Sequence, residues 1–310
     1  MRAIFIGTPE FAVPSLEAMA NRHDVRLVVT QPDRPAGRGR KLKAPAVKRR
    51  AAELGLTLAQ PRRVGEDESF ARLAACHADV IAVVGYGQMI PKRIRVLTRH
   101  GCVNLHSSLL PKYRGAAPLS WAIVRGERET GVTTMRISRK MDAGDILLRR
   151  RTKIGRSERA SDLARRLAPV GADLLLETLD RLEERTLQPT PQDDAAATYA
   201  PMLRRKDGLV DWSLPAASIY DRLRGLDPWP GIHTFFRNRR LRIWDAAPGE
   251  GEDLEPGRAK AHREGLAVGC GSGTLVLKEV QLEGRRRMGA PAFLRGWRLA
   301  PDEALGKCKN

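Results

Sequence analysis

Five short runs rich in Val, Ile and Leu, at residues 2–7, 25–30, 56–60, 79–85 and 101–106, are separated by segments with helical spacing or turn residues. That rhythm predicts an α/β domain: a Rossmann-like, mostly parallel sheet, doubly wound, with helices on both faces. Further strand-like runs follow at 132–138 and 145–154. Residues 158–185 then carry Leu163, Leu167, Val170, Leu174, Leu175, Leu179 and Leu182 at helical spacing, so one long amphipathic helix is expected to pack on the sheet and close a first domain at 1–187.

Residues 188–205 lose periodicity and fill with Pro, Asp, Ala and Thr, the composition of a linker. Beyond it a helix is expected over residues 215–226, then the turn Asp227-Pro228-Trp229-Pro230-Gly231. Short strands follow near 233–236, 241–246, 265–269, 274–282 and 297–299. Closely spaced strands broken by Gly and Pro predict a small C-terminal β-barrel, OB-like, over 206–310.

Two domains need enough apolar material for two cores, and 310 residues at 42% apolar supply it. The 55 Lys and Arg against 36 Asp and Glu leave a formal charge of +19, a field that attracts polyanions. Nucleic acid is the leading partner on that ground, with a generally basic proteome as the bland alternative. Cys76, Cys102, Cys270 and Cys308 form neither a C-x-x-C pair nor a Cys/His cluster, so no metal site and no disulfide framework is expected. No stretch approaches the ~18 apolar residues of a membrane span, and residues 1–7 read as a core strand without a cleavable signal. A soluble, cytoplasmic protein is expected, monomeric by default.

Chemistry concentrates at the end of the fifth run. In Gly101-Cys102-Val103-Asn104-Leu105-His106 the strand period of two sends Asn104 and His106 to the same side. An amide that donates beside an imidazole that donates or shuttles a proton suits the oxyanion formed when a carbonyl is attacked. A strand end whose Asn and His only satisfy loop backbone groups would look the same. Asp142, in Met141-Asp142-Ala143-Gly144-Asp145, is placed to hold His106 in one tautomer; an Asx turn is the alternative.

Four further segments bear on phosphate or nucleotide binding. From Arg34 to Arg50 there are eight Lys or Arg and no acidic residue, interleaved with Pro35, Gly37, Gly39 and Pro45, which reads as a mobile loop able to order on phosphates. Gly7-Thr8-Pro9-Glu10 lacks G-x-G-x-x-G, and Pro9 stands where a phosphate loop needs free backbone, so nicotinamide chemistry is not expected. Arg237-Asn238-Arg239-Arg240 and Arg285-Arg286-Arg287 are candidate phosphate contacts or merely solvated.

Taken together, these residues resemble the methionyl-tRNA formyltransferase family. The likeness runs through residues 4–11, the block Gln31-Pro32-Asp33-Arg34-Pro35-Ala36-Gly37-Arg38-Gly39, the stretch from Asn104 to Asp145, Val210-Asp211-Trp212-Ser213 and Asp227-Pro228-Trp229-Pro230-Gly231. The resemblance implies that Asn104, His106 and Asp142 are the catalytic trio and that 10-formyltetrahydrofolate is the formyl donor, with no metal. It implies a folate site on two loops, through Tyr86, Gly87, Met89 and Ile90 and through Leu110, Pro111, Lys112 and Tyr113. Gly85 stands where Ala is common, and Gln88-Met89-Ile90 where smaller or more aliphatic residues are frequent. It also implies that initiator methionyl-tRNA is the partner, met by Arg38 with Arg34, Arg40, Lys41 and Lys43 in support. Two other readings share some of these features: a folate-dependent formyltransferase acting on a small amine such as an amino sugar, and a noncatalytic RNA-binding protein on a degenerate enzyme fold.

Overall fold

The computed structural model describes residues 1–36, 41–249 and 254–306. Ala3, Ile4, Phe5 and Ile6 have no solvent exposure at all, because the strand they form, β1 (Arg2–Gly7), is flanked on both edges and covered on both faces. It is followed by α1 (Val13–Arg22), β2 (Asp24–Val29), the short strands β3 (Arg34–Ala36) and β4 (Lys41–Lys43), α2 (Ala46–Glu53), β5 (Leu58–Ala59) and α3 (Asp67–Ala75). Then come β6 (Val80–Val84), α4 (Lys92–Arg95), β7 (Cys102–His106), β8 (Arg114–Gly115), α5 (Pro118–Val124), β9 (Glu129–Arg136), β10 (Ile146–Lys153), α6 (Ala160–Glu183) and β11 (Tyr199–Ala200).

The chain divides into two compact units, the first comprising Met1–Pro118, Glu129–Lys153 and Leu163–Pro201. Its sheet has the order β10-β9-β7-β6-β1-β2-β5, parallel from β5 to β7 and antiparallel where β9 and β10 add to the edge. This is the mostly parallel, Rossmann-like sheet expected. Period two sorts its faces: Ile4, Ile6, Ile81 and Val83 join one core with Leu73 of α3 and Ile94 of α4, whereas Leu105 lies against Gly171 of α6. Strand order reverses between β1 and β6, so the carboxyl ends of these strands open a crevice where such sheets bind ligands.

The segment expected as a mobile loop has formed legs. β3 and β4 pair antiparallel, with Arg34 opposite Lys43, and the turn between them lies outside the described residues.

The second unit comprises Leu119–Arg128, Ile154–Asp162 and the chain from Met202. Its elements are α7 (Ala216–Gly225), β12 (Ile232–Phe236), β13 (Arg239–Gly249), β14 (Ala259–His262), β15 (Gly265–Gly269), β16 (Thr274–Leu282), β17 (Met288–Gly289) and α8 (Ala290–Gly296). The strands form one antiparallel sheet, β12-β13-β16-β15-β14, with β17 on β16, and β13 bends through two register shifts. Among the described residues its edges, β12 and β14, do not pair with each other. Residues 297–299, expected as a strand, are irregular: Phe293 of α8 and Trp297 close on Phe236, at 5.2 and 6.1 Å between ring centres, and that packing replaces strand pairing. Strand β14 had no sequence signal strong enough to mark it. Asp227 in the Pro-Trp-Pro turn is held by Arg159 Nη1 at 3.0 Å and Ser161 Oγ at 2.6 Å.

Candidate active site

Asn104 and His106 sit two residues apart near the carboxyl end of β7, which is paired to β6 on one side and β9 on the other. Their side chains share one side of the strand, as the period of two requires. Among the described residues none hydrogen-bonds the Asn104 side chain, which is partly exposed. Its amide is therefore uncommitted.

His106 is buried and gripped from two directions. Its Nε2 lies 2.9 Å from the Tyr113 carbonyl oxygen, which can only accept, so Nε2 carries a proton. Its Nδ1 faces Asp142 Oδ2 at 3.7 Å, too long for a hydrogen bond. The same carboxylate oxygen accepts the Gly115 N–H at 2.9 Å. Asp142 thus meets His106, from a backbone held at φ +49°, in the left-handed region. Two residues on, Gly144 is obligatory: a Cβ there would lie 1.9 Å from the Arg136 carbonyl oxygen.

The loop after β7 is fastened by small hydroxyls. Thr133 Oγ1 donates to the Ser108 carbonyl at 2.6 Å, Ser108 Oγ donates to the Lys112 carbonyl at 2.7 Å, and Arg149 Nη1 reaches the Leu110 carbonyl at 3.1 Å. Leu110 is buried with Met135 and Ile146, and Tyr113 is buried with φ +63°; Pro111 is half-buried and Lys112 exposed. The β6 loop is similar in kind. Gly85 and Gly87 have φ of +57° and +82°, which turn the chain so that the Tyr86 carbonyl accepts from Gln31 Nε2 at 3.1 Å and Thr8 Oγ1 at 3.3 Å. The side chains of Tyr86 and Ile90 belong to the core under the sheet. Burial pushes the Tyr86 hydroxyl up to about 12. Gln88 ties the loop to the Val64 N–H and the Arg62 carbonyl, and Met89 stays exposed. These loops offer a flat ligand mainly backbone groups, with Gly87, Met89 and Lys112 at the surface.

In the basic segment, Arg34 and Lys43 are exposed, and Arg34 Nη2 bonds Gln31 Oε1 at 3.1 Å. Lys41 has its backbone in β4; Arg38 and Arg40 lie outside the described residues. The last three of the eight cations are committed within the fold: Lys48 to Asp33, Arg49 to Glu10, Arg50 to Glu17 and Glu53. Hydrogen bonds from Gln60 and Lys48 hold Asp33 below the usual carboxylate range. In the second unit Arg237 pairs with Glu303 and Arg287 with Glu279, while Arg242 lies 3.8 Å from the centre of the Trp244 ring with Arg287 at 4.9 Å.

Sequence reasoning missed Arg114, Gln192 and Thr198. Arg114 is buried, and its guanidinium bonds Gln192 Oε1 and Asp194; Thr198 Oγ1 accepts the Tyr113 N–H at 2.9 Å. For Gln192 and Thr198 the signal available was a patch of hydrogen-bonding residues inside the stretch read as linker, and composition alone gave them no partner. Among the described residues there is no cluster of side chains able to hold a metal ion, and no helix long and apolar enough to cross a membrane.

A family model described as formyl transferase matches residues 1–179, and one described as formyl transferase, C-terminal domain, matches residues 202–298. The class defined by the sheet and its site is that of the formyl transferases. The chain is 49% identical over 308 residues to the methionyl-tRNA formyltransferase of Solibacter usitatus, covering 99% of both, and 46% identical over 309 residues to that of Geobacter sulfurreducens, covering 99% of this chain and 97% of the relative. It belongs to the methionyl-tRNA formyltransferase family. In fold it is similar to WlaRD, a sugar 3N-formyl transferase, with a TM-score of 0.68 at 15% identity over 92% of this chain and 99% of that one. It is also similar to HypX from Aquifex aeolicus in complex with tetrahydrofolic acid, with a TM-score of 0.62 at 19% identity over 95% of this chain and 47% of that one.

Proposed function

We propose that this chain transfers the formyl group of 10-formyltetrahydrofolate to the α-amino group of methionyl initiator tRNA, for translation initiation. The observation that carries the reading is an uncommitted Asn104 amide beside a buried His106 that is backed by Asp142, at the carboxyl end of a parallel strand. In this scheme the substrate amine attacks the formyl carbon, and the carbonyl electron pair moves onto oxygen. The Asn104 amide and protonated His106 stabilise that oxyanion. Collapse breaks the bond to the folate nitrogen, which takes up a proton as the amine gives one up. Because Nε2 is engaged by the Tyr113 carbonyl, Nδ1 is the His106 nitrogen left to exchange that proton, on the side that faces Asp142. Folate sits against the loops at Tyr86, Gly87, Met89, Ile90 and at Leu110, Pro111, Lys112, Tyr113, bound mainly by backbone groups.

The exposed Arg34 of β3 and Lys43 of β4, together with Arg38, Arg40 and Lys41 of the same basic segment, meet tRNA phosphates. The work divides between a catalytic, folate-binding part (residues 1–187) and a tRNA-binding part (206–310), joined through 188–205. The protein acts as a cytoplasmic monomer. The test offers 10-formyltetrahydrofolate with either charged initiator tRNA or free amino sugars: formyl-methionyl-tRNA is expected, and formylation of the sugars alone overturns the reading.

A further inference from the structure

The geometry points to Gln192 as the positioning residue that sets Asp142 against His106; the inference rests on the trio reading above. An amide side chain has two N–H groups and one oxygen with two lone pairs, and here all four are used. Nε2 donates to the Asp142 carbonyl at 2.9 Å and to the Gly144 carbonyl at 2.7 Å. Oε1 accepts from Arg114 Nε at 3.1 Å and Nη2 at 2.9 Å. Only one orientation of the amide satisfies these partners. Arg114 is in turn anchored by Asp194, at 2.8 Å from its Nη1.

Gln192 therefore ties the turn at residues 142–144 to the segment at 113–115, and those two segments supply the described polar contacts of the His106 ring. Tyr113 supplies the carbonyl on Nε2, Gly115 supplies the N–H on the Asp142 carboxylate, and Asp142 faces Nδ1. Residues 198–200 reinforce the same clamp: the Arg114 N–H reaches the Thr198 carbonyl at 2.8 Å and the Ala116 N–H the Ala200 carbonyl at 2.8 Å. Asp142 itself holds a left-handed backbone, uncommon for a non-glycine residue though aspartate is among those that adopt it. The Gln192 bonds to the Asp142 and Gly144 carbonyls, both just C-terminal to the Asp142 Cα, pin the turn that carries it. Gln192 touches neither reacting atom nor substrate loop, so its effect passes through Asp142.

The experiment is a double-mutant cycle. Gln192→Met keeps the length of the side chain and removes all four bonds; Gln192→Glu keeps an acceptor for Arg114 but loses both donors. Asp142→Asn supplies the second edge. A displacement of about 1 Å at a reacting group typically costs on the order of 10²-fold in rate. Gln192→Met and Gln192→Glu are expected to lower kcat by roughly 10- to 100-fold on that principle, with KM for folate and for tRNA within about twofold. In the Asp142→Asn background, Gln192→Met should cost less than about threefold more, since its route is already cut. Independent multiplication of the two losses, a loss confined to KM, or failure of both Gln192 variants to fold overturns the inference. Near-normal turnover by Asp142→Asn alone would instead sink the trio reading beneath it.

Discussion

Replacing Asn104 by Ala isolates the oxyanion donor with little disturbance elsewhere. The residue's backbone is paired opposite Val83 and Met135, and its side chain has no hydrogen-bond partner among the described residues. Removing the amide orphans no described protein group, so the stability change should stay within about 0.5 kcal/mol, as for substitutions that break no buried contact. Turnover is another matter. Loss of one preorganised oxyanion donor costs on the order of 10²–10³ in kcat, about 2.7–4 kcal/mol of transition-state stabilisation. Substrate KM values should hardly move, because the donor acts on charge that develops only in the transition state. Asn104→Asp, of the same shape, should be worse, since it removes the donor and adds negative charge beside the developing oxyanion. Single-turnover formyl transfer to charged tRNA, read alongside thermal unfolding of each variant, measures both quantities. Turnover within about threefold of wild type with unchanged unfolding would remove Asn104 from the mechanism.

Other consequences are equally concrete. Gly144→Ala places a Cβ 1.9 Å from the Arg136 carbonyl oxygen, so the turn carrying Asp142 must shift; kcat should drop at least tenfold, a milder form of the ~10²-fold cost of misplacing a reacting group, and a fully active variant would show that the turn tolerates displacement. Changing Arg34 and Lys43 together to Ala should weaken tRNA binding and flatten its salt dependence by roughly 0.7–0.9 per lost phosphate contact, leaving folate KM unchanged; an unaltered salt slope places the tRNA elsewhere. Burial pushes the Cys102 thiol up to about 12, so at pH 8 it stays protonated and should resist iodoacetamide in the native protein, reacting once denaturant restores its ordinary acidity. Rapid native labelling of Cys102, followed by peptide mapping, would contradict the packing of β7.

The Rossmann-like sheet was legible because its strands are unmistakable runs: residues 2–7 and 101–106 match β1 and β7 almost residue for residue. Strand β14 and helix α8 were not, because Ala259–His262 and Ala290–Gly296 are short and their apolar residues make sense only against β15 and the Phe236 core. The basic segment was legible as charge but not as structure, since Arg34–Ala36 and Lys41–Lys43 form strands only by pairing with each other. At the site, Asn104 and His106 follow from strand periodicity. Tyr86 and Ile90 were expected against folate through backbone groups, and their side chains lie in the core under the sheet. A loop's sequence does not say which of its side chains turn inward.

What the sequence determined alone is local: where apolar runs and helical stripes lie, that Asn104 and His106 share a side, and that positive charge outweighs negative. Each of these depends on neighbours within a few residues, through backbone geometry and side-chain character. Only the tertiary structure decided that Asp142 comes within 3.7 Å of His106 across 36 positions of chain, and that Gln192, a further 50 residues on, grips the turn that carries it. The physical reason is that such contacts are set by where the sheet order and the long helix return the chain in space. Hydrogen-bonding capacity is written in each side chain, but its partner is chosen by the fold.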